Sequence, residues 1–221
     1  LYSSRGGGGR MALDPDDNIY LFGASGPTTA GAFQPTDPGD SPVLMKIARD
    51  AIPPTTPATS SGTVGNSGWW KSSVTVGLHA TDNPLGSGVK EVTYSAAGAQ
   101  TILLTSVSGD TASVPAINVE GQTILSFFAK DNANNVESTQ TLTLRVDQTA
   151  PSVPCGSSDG IWHPGDVNIS CTASDGISGL ANVADASFAL STSLAAGTES
   201  ANVSTGSRSV CDVAGNCATA G

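Results

Sequence analysis

The sequence predicts an all-β protein that contains two similar, small β-sandwich modules in tandem. A pattern that occurs twice in the 221 residues is the first observation. The first copy comprises Trp70, residues 74–80, Asp82, residues 87–89 and residues 131–135. The second copy comprises Trp162, residues 167–173, Asp175, residues 178–180 and residues 212–216. The second observation is composition: 26 Gly, 13 Pro and only 13% charged residues favour short strands joined by turns over long amphipathic helices.

Apolar alternation locates the strands of the first module. Every second residue of 74–80 is apolar, which predicts a strand with one face in a core and with Thr75 and His79 on the other face. Further strands are expected at 89–94, 102–107, 123–130 and 141–146. The last two flank residues 131–135 as a hairpin, and residues 152–221 are expected to repeat the whole scheme.

Residues 1–50 differ from the rest and predict three short strands, two around a turn at 14–18 and one at 42–48. They resemble one unit of a bacterial β-propeller repeat family. The matching positions are residues 11–14, 18–20, Gly23, 27–34 (PTTAGAFQ) and 43–47. The resemblance implies a partial propeller blade, which cannot bury both faces by itself. Residues 51–66, rich in Pro, Thr and Ser, are expected to be a linker.

The two repeated modules, 67–147 and 148–221, resemble bacterial immunoglobulin-like surface domains. The resemblance lies in the string W…VxVxxxAxDxxSGV…DxAGN and in the junction VDQTAP at 146–151. It implies two tandem immunoglobulin-like β-sandwiches, preceded here by the partial β-propeller blade. It also implies an extracellular or cell-surface location in a secreted bacterial protein. We expect the chain to be a fragment of a larger protein, with the second module truncated at its C-terminus.

The four cysteines lie in the last 67 residues and suggest disulfides in an oxidising compartment. Cys171 aligns with Leu78 and therefore faces inward, whereas Cys211 aligns with Lys130 and faces outward. This disfavours a bond between those two. The sequence therefore predicts Cys155–Cys171 and Cys211–Cys217, the latter across the turn 212–216. Zinc is the rival interpretation, but no Cys-x2-4-Cys pair is present.

Aspartates recur at matching places and suggest calcium at the module junctions. In an immunoglobulin-type sandwich, the start of the first strand and two of the loops meet at one pole. The expected ligands are Asp50, Asp82 and Asp131 for the first module, and Asp147, Asp175 and Asp212 for the second. Carboxylates with turn carbonyls suit a hard cation. The alternative is that these residues only shape turns.

The remaining features narrow the function classes. A net charge of −10 argues against a nucleic-acid partner. The sequence has no run of 18 apolar residues, so it predicts no membrane span. The sequence shows no set of residues typical of a catalytic site, and His79 and His163 have no evident partner. Asp159 and Asp166 are expected to be solvent-exposed charges in loops. We expect a non-catalytic spacer, stalk or adhesion module with an unknown surface or matrix ligand, no required cofactor, and calcium as the one suggested ion.

Two alternatives stay open. The modules could be accessory parts of a secreted hydrolase, or they could bind carbohydrate or matrix through an aromatic platform of Trp69, Trp70 and Trp162. The tryptophans precede the first core strand of each module, a position that favours packing or edge capping over a platform.

Overall fold

A computed structural model of the chain describes residues 10–13, 18–23, 43–47 and 49–221. The described residues form an all-β structure with a single short 3-10 helix, Val183–Ala186. The strands are β1 (Arg10–Leu13), β2 (Ile19–Gly23), β3 (Val43–Ile47), β4 (Ala58–Ser61), β5 (Val74–His79), β6 (Val89–Gly98), β7 (Ile102–Ser108), β8 (Thr111–Ile117), β9 (Gly121–Asp131), β10 (Gln140–Val146), β11 (Asn168–Thr172), β12 (Ser187–Ser191), β13 (Arg208–Cys211) and β14 (Cys217–Ala220). Within these ranges, no helix has the length and apolar character to cross a membrane.

The first three strands form one antiparallel sheet in the order β1-β2-β3. All three strands expected in residues 1–50 are therefore present. The family resemblance of this segment depends partly on Asp14 and on the string 27–34, which lie outside the described residues.

Two antiparallel sheets enclose the core of the first module, one in the order β4-β5-β8 and the other in the order β10-β9-β6-β7. Strand β5 alternates buried and exposed side chains along its whole length, as its sequence pattern predicts. Fifteen buried apolar residues from both sheets and their ends form the core: Val74, Val76, Leu78, Ala80, Val92, Tyr94, Ala96, Ala112, Val114, Ile117, Leu125, Phe127, Ala129, Leu144 and Val146. The module is thus a two-layered structure with a single interior.

The prediction that residues 51–66 are a linker is wrong, because this segment contributes strand β4. Ala58 pairs with Leu78 of β5 and packs against the core. Since β4 has only one neighbouring strand, it tolerates the Pro, Thr and Ser that weaken the apolar signal. The first module therefore spans residues 51–147.

Strand β8 was not anticipated from the sequence. Ala112, Val114 and Ile117 are buried, but the register of β8 against β5 shifts between Val74 and Val76. That bulge interrupts strict alternation and hides the strand. β8 lies at the edge of its sheet, where Pro115 is accommodated.

The second module is a reduced version of the first, so the expectation that it repeats the whole scheme is only partly met. Its described strands form two pairs, β11-β12 and β13-β14. Leu180 bridges to Asp212, as Val89 pairs with Asp131, but the chain then enters the 3-10 helix instead of a counterpart to the β6-β7 hairpin. An apolar cluster in the second module has three buried members, Cys171, Leu190 and Ala220, with Val153 and Phe188 packed against them.

Both expected disulfides are present, Cys155–Cys171 and Cys211–Cys217. Each replaces a cross-strand pair of the first module: Ala58 opposite Leu78, and Lys130 bridged to Val136. Cys171 is buried and Cys211 is half-buried, in line with the different faces assigned to them. Closing a loop of about 15 residues stabilises by roughly 3 kcal/mol in the chain-entropy model, which compensates for the small core of this module.

Candidate cation sites where each module begins

The six aspartates singled out by the repeat form two separate clusters in the structure. Asp50, Asp82 and Asp131 contribute carboxylate oxygens that all lie within 4.8 Å of one another. We call this set the first acidic cluster. Asp147, Asp175 and Asp212 do the same under the same limit, and we call them the second acidic cluster. The grouping expected from the sequence is therefore correct for all six residues.

Three chain segments meet at each cluster. In the first cluster, Asp50 precedes the module, Asp82 follows β5, and Asp131 ends β9. The turn of residues 131–135 is closed by the Asp131 N–H, which donates to the Asn135 carbonyl at 3.1 Å. The corresponding bond in the second cluster, from Asp212 N–H to the Asn216 carbonyl, is 2.9 Å long. Both clusters therefore use the same backbone frame.

Main-chain N–H groups orient the first two carboxylates of each cluster. Asp50 Oδ2 accepts from the N–H of Ser87 at 2.8 Å, and Asp82 Oδ2 accepts from the N–H of Gly88 at 2.7 Å. In the second cluster, the N–H of Ser178 donates to Asp147 Oδ2 at 3.1 Å. The N–H of Gly179 donates to Asp175 Oδ1 at 2.6 Å. The Ser-Gly pair of the repeat thus positions two of the three acids.

The third carboxylate has the same hydrogen-bond partner in both clusters. Asn135 Nδ2 donates to Asp131 Oδ2 at 2.6 Å and to the Asp50 carbonyl at 3.1 Å. Asn216 Nδ2 bonds Asp212 Oδ2 at 2.8 Å and the Asp147 carbonyl at 3.0 Å in the same way. Each asparagine therefore ties the turn of its own module to the segment that enters the module.

These supporting residues were not included in the sequence-based site, although the repeat contains them. The hydroxyl of Ser87 accepts from the Ala133 N–H at 2.9 Å, and that of Ser178 accepts from the Ala214 N–H at 3.1 Å. The signal was the recurrence of Ser-Gly and of a terminal Asn in both copies. Only the acidic members were given a chemical role because carboxylates suggest a ligand and the other residues also suit ordinary turns.

Burial makes the concentration of negative charge costly. Asp131 and Asp147 are 0% exposed and Asp212 is 1% exposed. The ion pairs between described residues are His163–Asp159 and Arg208–Asp185, and neither involves an aspartate of the clusters. Negative charges held this close in a partly desolvated site repel one another. A bound cation would remove that repulsion.

The pKa values of Asp50 and Asp147, the aspartates that precede the two modules, shift in opposite directions. Burial raises the pKa of Asp147, with the negative charges of Asp212 and Asp175 adding to the effect. The hydrogen bond from the Ser87 N–H lowers the pKa of Asp50, whose side chain is only half-buried. The second cluster is therefore the more strongly desolvated of the two at this position.

The first cluster contains one more oxygen-bearing side chain, Asn83. In one orientation of its amide, Nδ2 donates to Asp82 Oδ1 at 2.9 Å, Asp50 Oδ1 at 3.2 Å and the Ile52 carbonyl at 3.3 Å. In the other orientation, the amide oxygen joins those three oxygens. Such a group of carboxylate, amide and carbonyl oxygens is the donor set that hard cations prefer. The set lacks the thiolate and imidazole ligands typical of structural zinc sites.

The other residues considered from the sequence lie apart from the clusters. His79 is exposed, as expected. The expectation that His163 has no partner is wrong, because its Nε2 lies 3.0 Å from both carboxylate oxygens of Asp159. This hydrogen bond lowers the pKa of Asp159. Trp70 packs against the first core, whereas Trp162 is 71% exposed. No protein-family model, curated protein or solved structure matches the chain.

Proposed function

We propose that the chain is a non-catalytic spacer or adhesion stalk of a secreted or cell-surface protein, and that calcium bound at the two acidic clusters holds each module to the segment that precedes it. The observation that carries the proposal is the duplication of a three-carboxylate cluster at equivalent places, with no ion pair to a cluster aspartate between described residues. One such cluster has an ordinary explanation in turn geometry. Two clusters with the same hydrogen-bond frame are better explained by a shared ligand.

Calcium is the cation that the donors fit best. The clusters supply only oxygen ligands, from carboxylates and nearby carbonyls, and the ligands of each cluster come from three separate chain segments. Calcium accepts six to eight oxygens in irregular geometry, whereas magnesium requires a near-ideal octahedron and keeps most of its water. Asp50, Asp82 and Asp131 would hold one ion, and Asp147, Asp175 and Asp212 would hold the other.

The proposed spacer role depends on which chain segments each ion would connect. Asp50 and Asp147 belong to the chain entering each module, while the other four ligands belong to loops of that module. A cation bound by all three segments stabilises the attachment of the entering chain, because the ligands must stay together for the ion to remain bound. Modules attached in this way would form an extended, stiff chain in calcium and a more flexible one without it.

The location is part of the proposal. Two disulfides support an oxidising environment, and millimolar calcium is typical of extracellular fluids, where modules with weak sites bind it. We also propose that the modules belong with the immunoglobulin-like sandwiches that their repeated pattern resembles, and that residues 1–50 belong with the propeller repeat.

Thermal unfolding tests the calcium proposal directly. Chain stripped with a chelator and then given calcium at about 100 times the dissociation constant should gain roughly 2.7 kcal/mol per occupied module. Asp82→Asn and Asp175→Asn remove one half-buried ligand each from the first and second cluster. Each variant should lose the calcium response of its own module and keep that of the other.

Asp166→Asn provides the matched control, because Asp166 is an exposed aspartate of the second module outside both clusters. It should respond to calcium like the wild-type chain. Comparing each variant with and without calcium separates lost binding from a general loss of stability. Equal transition temperatures in calcium and in chelator for the wild-type chain would rule the proposal out.

Carbohydrate or matrix binding is a second candidate, and the 71% exposure of Trp162 favours it. Trp70, which packs against the core, does not suit an open platform, so the candidate surface is the loop around Trp162 with its exposed neighbour Ile161. Glycan-array binding that is lost in Trp162→Ala and kept in a substitution of Trp69 would favour this function. The alternative of an accessory module of a hydrolase has no distinguishing contact among the described residues.

A further inference from the structure

The second module contacts the first at its entering residues, where Gln148 and Thr149 bond Glu120, and also through one of its turns. Residues 63–71 of the first module form a small hairpin, closed by the bonds from Lys71 N–H to the Thr63 carbonyl at 2.8 Å and from Gly65 N–H to the Trp69 carbonyl at 2.9 Å. We call this segment the docking hairpin. It lies against the turn 212–216 of the second module, which also supplies Asp212 to the second acidic cluster.

Two hydrogen bonds join the docking hairpin to that turn. The Asn66 N–H donates to the Ala214 carbonyl at 2.9 Å, and Lys71 Nζ donates to the Gly215 carbonyl at 2.7 Å. Ala214 is 0% exposed, whereas its counterpart Ala133 in the turn of the first module is only half-buried. The turn of the second module therefore has a cover that its counterpart lacks among the described residues.

Glycines on both sides allow the two backbones to approach. A Cβ at Gly65 would lie 2.5 Å from the Ala214 carbonyl oxygen, and a Cβ at Gly215 would lie 2.7 Å from Asn66 Nδ2. At Gly65 a side chain would require the backbone of residue 214 to move, whereas at Gly215 it would require the Asn66 side chain to move. Gly215 also has a φ of +94°, a conformation in which a side chain is strained.

The equivalent turn of the first module is different at this position. It carries Asn134, exposed and with a φ of +70°, where the second module has Gly215. An asparagine side chain on the second turn would occupy the space that Asn66 fills. The docking hairpin thus fits a turn with glycine at its fourth position, and an asparagine there would have to displace the Asn66 side chain.

We propose that the docking hairpin is a selective inter-module interface, which recognises the Gly-containing turn of the module that follows and fixes the orientation of the two modules. The hairpin is itself anchored, because the Trp70 N–H donates to the Arg145 carbonyl at 2.8 Å and the Trp70 carbonyl accepts from the Asp147 N–H at 2.9 Å. It therefore holds both the segment that joins the modules and the turn at the start of the second one. None of these contacts uses a carboxylate of the acidic clusters.

Residual dipolar couplings of the full chain, measured in chelator, test the interface. In the wild-type chain, one alignment tensor should fit the amides of both modules. Gly215→Asn, which introduces the residue found in the first turn, should require two separate tensors. Asn134→Gly makes the reverse exchange away from the interface and should keep the single tensor.

Gly65→Ala is the second test variant, for the case that Gly215→Asn perturbs the fold of the second module. Gly65 lies in the first module, and its new Cβ would meet the Ala214 carbonyl. It should also separate the two tensors while the spectrum of the second module stays folded. Two tensors in the wild-type chain, or a single tensor retained in Gly65→Ala, would overturn the proposal. Because no calcium is present, failure here leaves the calcium proposal to its own test.

Discussion

Removal of the Glu137 carboxylate should destabilise the first module by about 2–6 kcal/mol, because two backbone N–H donors lose their acceptor at about 1–3 kcal/mol each, while the third donor is a hydroxyl that can rotate. Glu137 is 9% exposed and has no basic partner among the described residues. Its Oε1 accepts from the Thr56 N–H at 2.9 Å, and its Oε2 accepts from the Thr56 hydroxyl at 2.6 Å and the Ala129 N–H at 3.0 Å. Glu137→Ala would leave all three donors in place.

The second module suggests the rescue. Its residues at the corresponding positions are Val153, which packs against the second core, and Ala218, which pairs with Val210. The pair Thr56→Val with Glu137→Ala would copy this apolar solution by removing the hydroxyl together with its acceptor. It would leave the two backbone N–H groups of residues 56 and 129 without the carboxylate. Replacing both partners of a buried polar pair costs less than removing one.

A double-mutant cycle in urea, followed by resolved amide signals of the first module, measures the effect. The double variant should be more stable than the sum of the single losses predicts, by at least about 1 kcal/mol. Independent sites add within about 0.3–0.5 kcal/mol. Additive losses, or a loss below about 0.5 kcal/mol for Glu137→Ala alone, would refute the idea that this carboxylate clamps the segment before β4 to the first module.

Three further predictions use the same module-resolved measurement. Leu144→Ala, at a 1%-exposed core position, should cost the first module about 2–5 kcal/mol and leave the second module unchanged; equal effects on both would contradict separate cores. Replacing Cys155 and Cys171 by Ala should cost the second module roughly 3 kcal/mol, and an unaffected second module would show that its small core suffices. The pKa of Asp147 is raised in the folded state, so its carboxyl ionises at a higher pH there than in the unfolded chain, where the ordinary pKa is 3.8. In chelator, the free energy of unfolding of the second module should therefore fall as the pH rises above 3.8. Calcium should abolish that fall, and Asp147→Asn should flatten it; a rise with pH in chelator would contradict the assignment.

The parts of the fold that follow from the sequence are those with regular period-two burial. Strand β5 is the clearest example, because every second side chain is buried and the pattern is uninterrupted. The disulfide pairing also follows, since the parity of Cys171 and Cys211 separates them by face. In both cases the prediction depends on a local rule of strand geometry that the tertiary structure leaves intact.

The elements that the sequence did not indicate are governed by edges and by long-range contacts. Strands β4 and β8 lie at the two edges of one sheet, where polar residues, proline and a bulge are tolerated and alternation is weak. The clamp between Thr56 and Glu137 joins residues 81 positions apart, and the contact of Lys71 with Gly215 joins residues 144 positions apart. No local pattern could have paired them.

The acidic clusters combine both situations. Their carboxylates were found because each lies at a repeated position after a strand or before a module, and the sheet topology brings those positions together. The supporting roles of Asn135 and Asn216 were not found, because an asparagine at the end of a turn has an ordinary local explanation. Only the bond from each asparagine to the entering chain reveals the second role.

The most direct measurement is the number of calcium ions that the metal-free full chain binds, determined by isothermal titration calorimetry at neutral pH. The account predicts two ions per wild-type chain, one in Asp82→Asn, one in Asp175→Asn, and none in the variant that combines both. Two ions should remain in Asp166→Asn. A wild-type chain that binds no calcium, or one whose two ions persist when both cluster aspartates are replaced, would contradict the assignment of the clusters as cation sites.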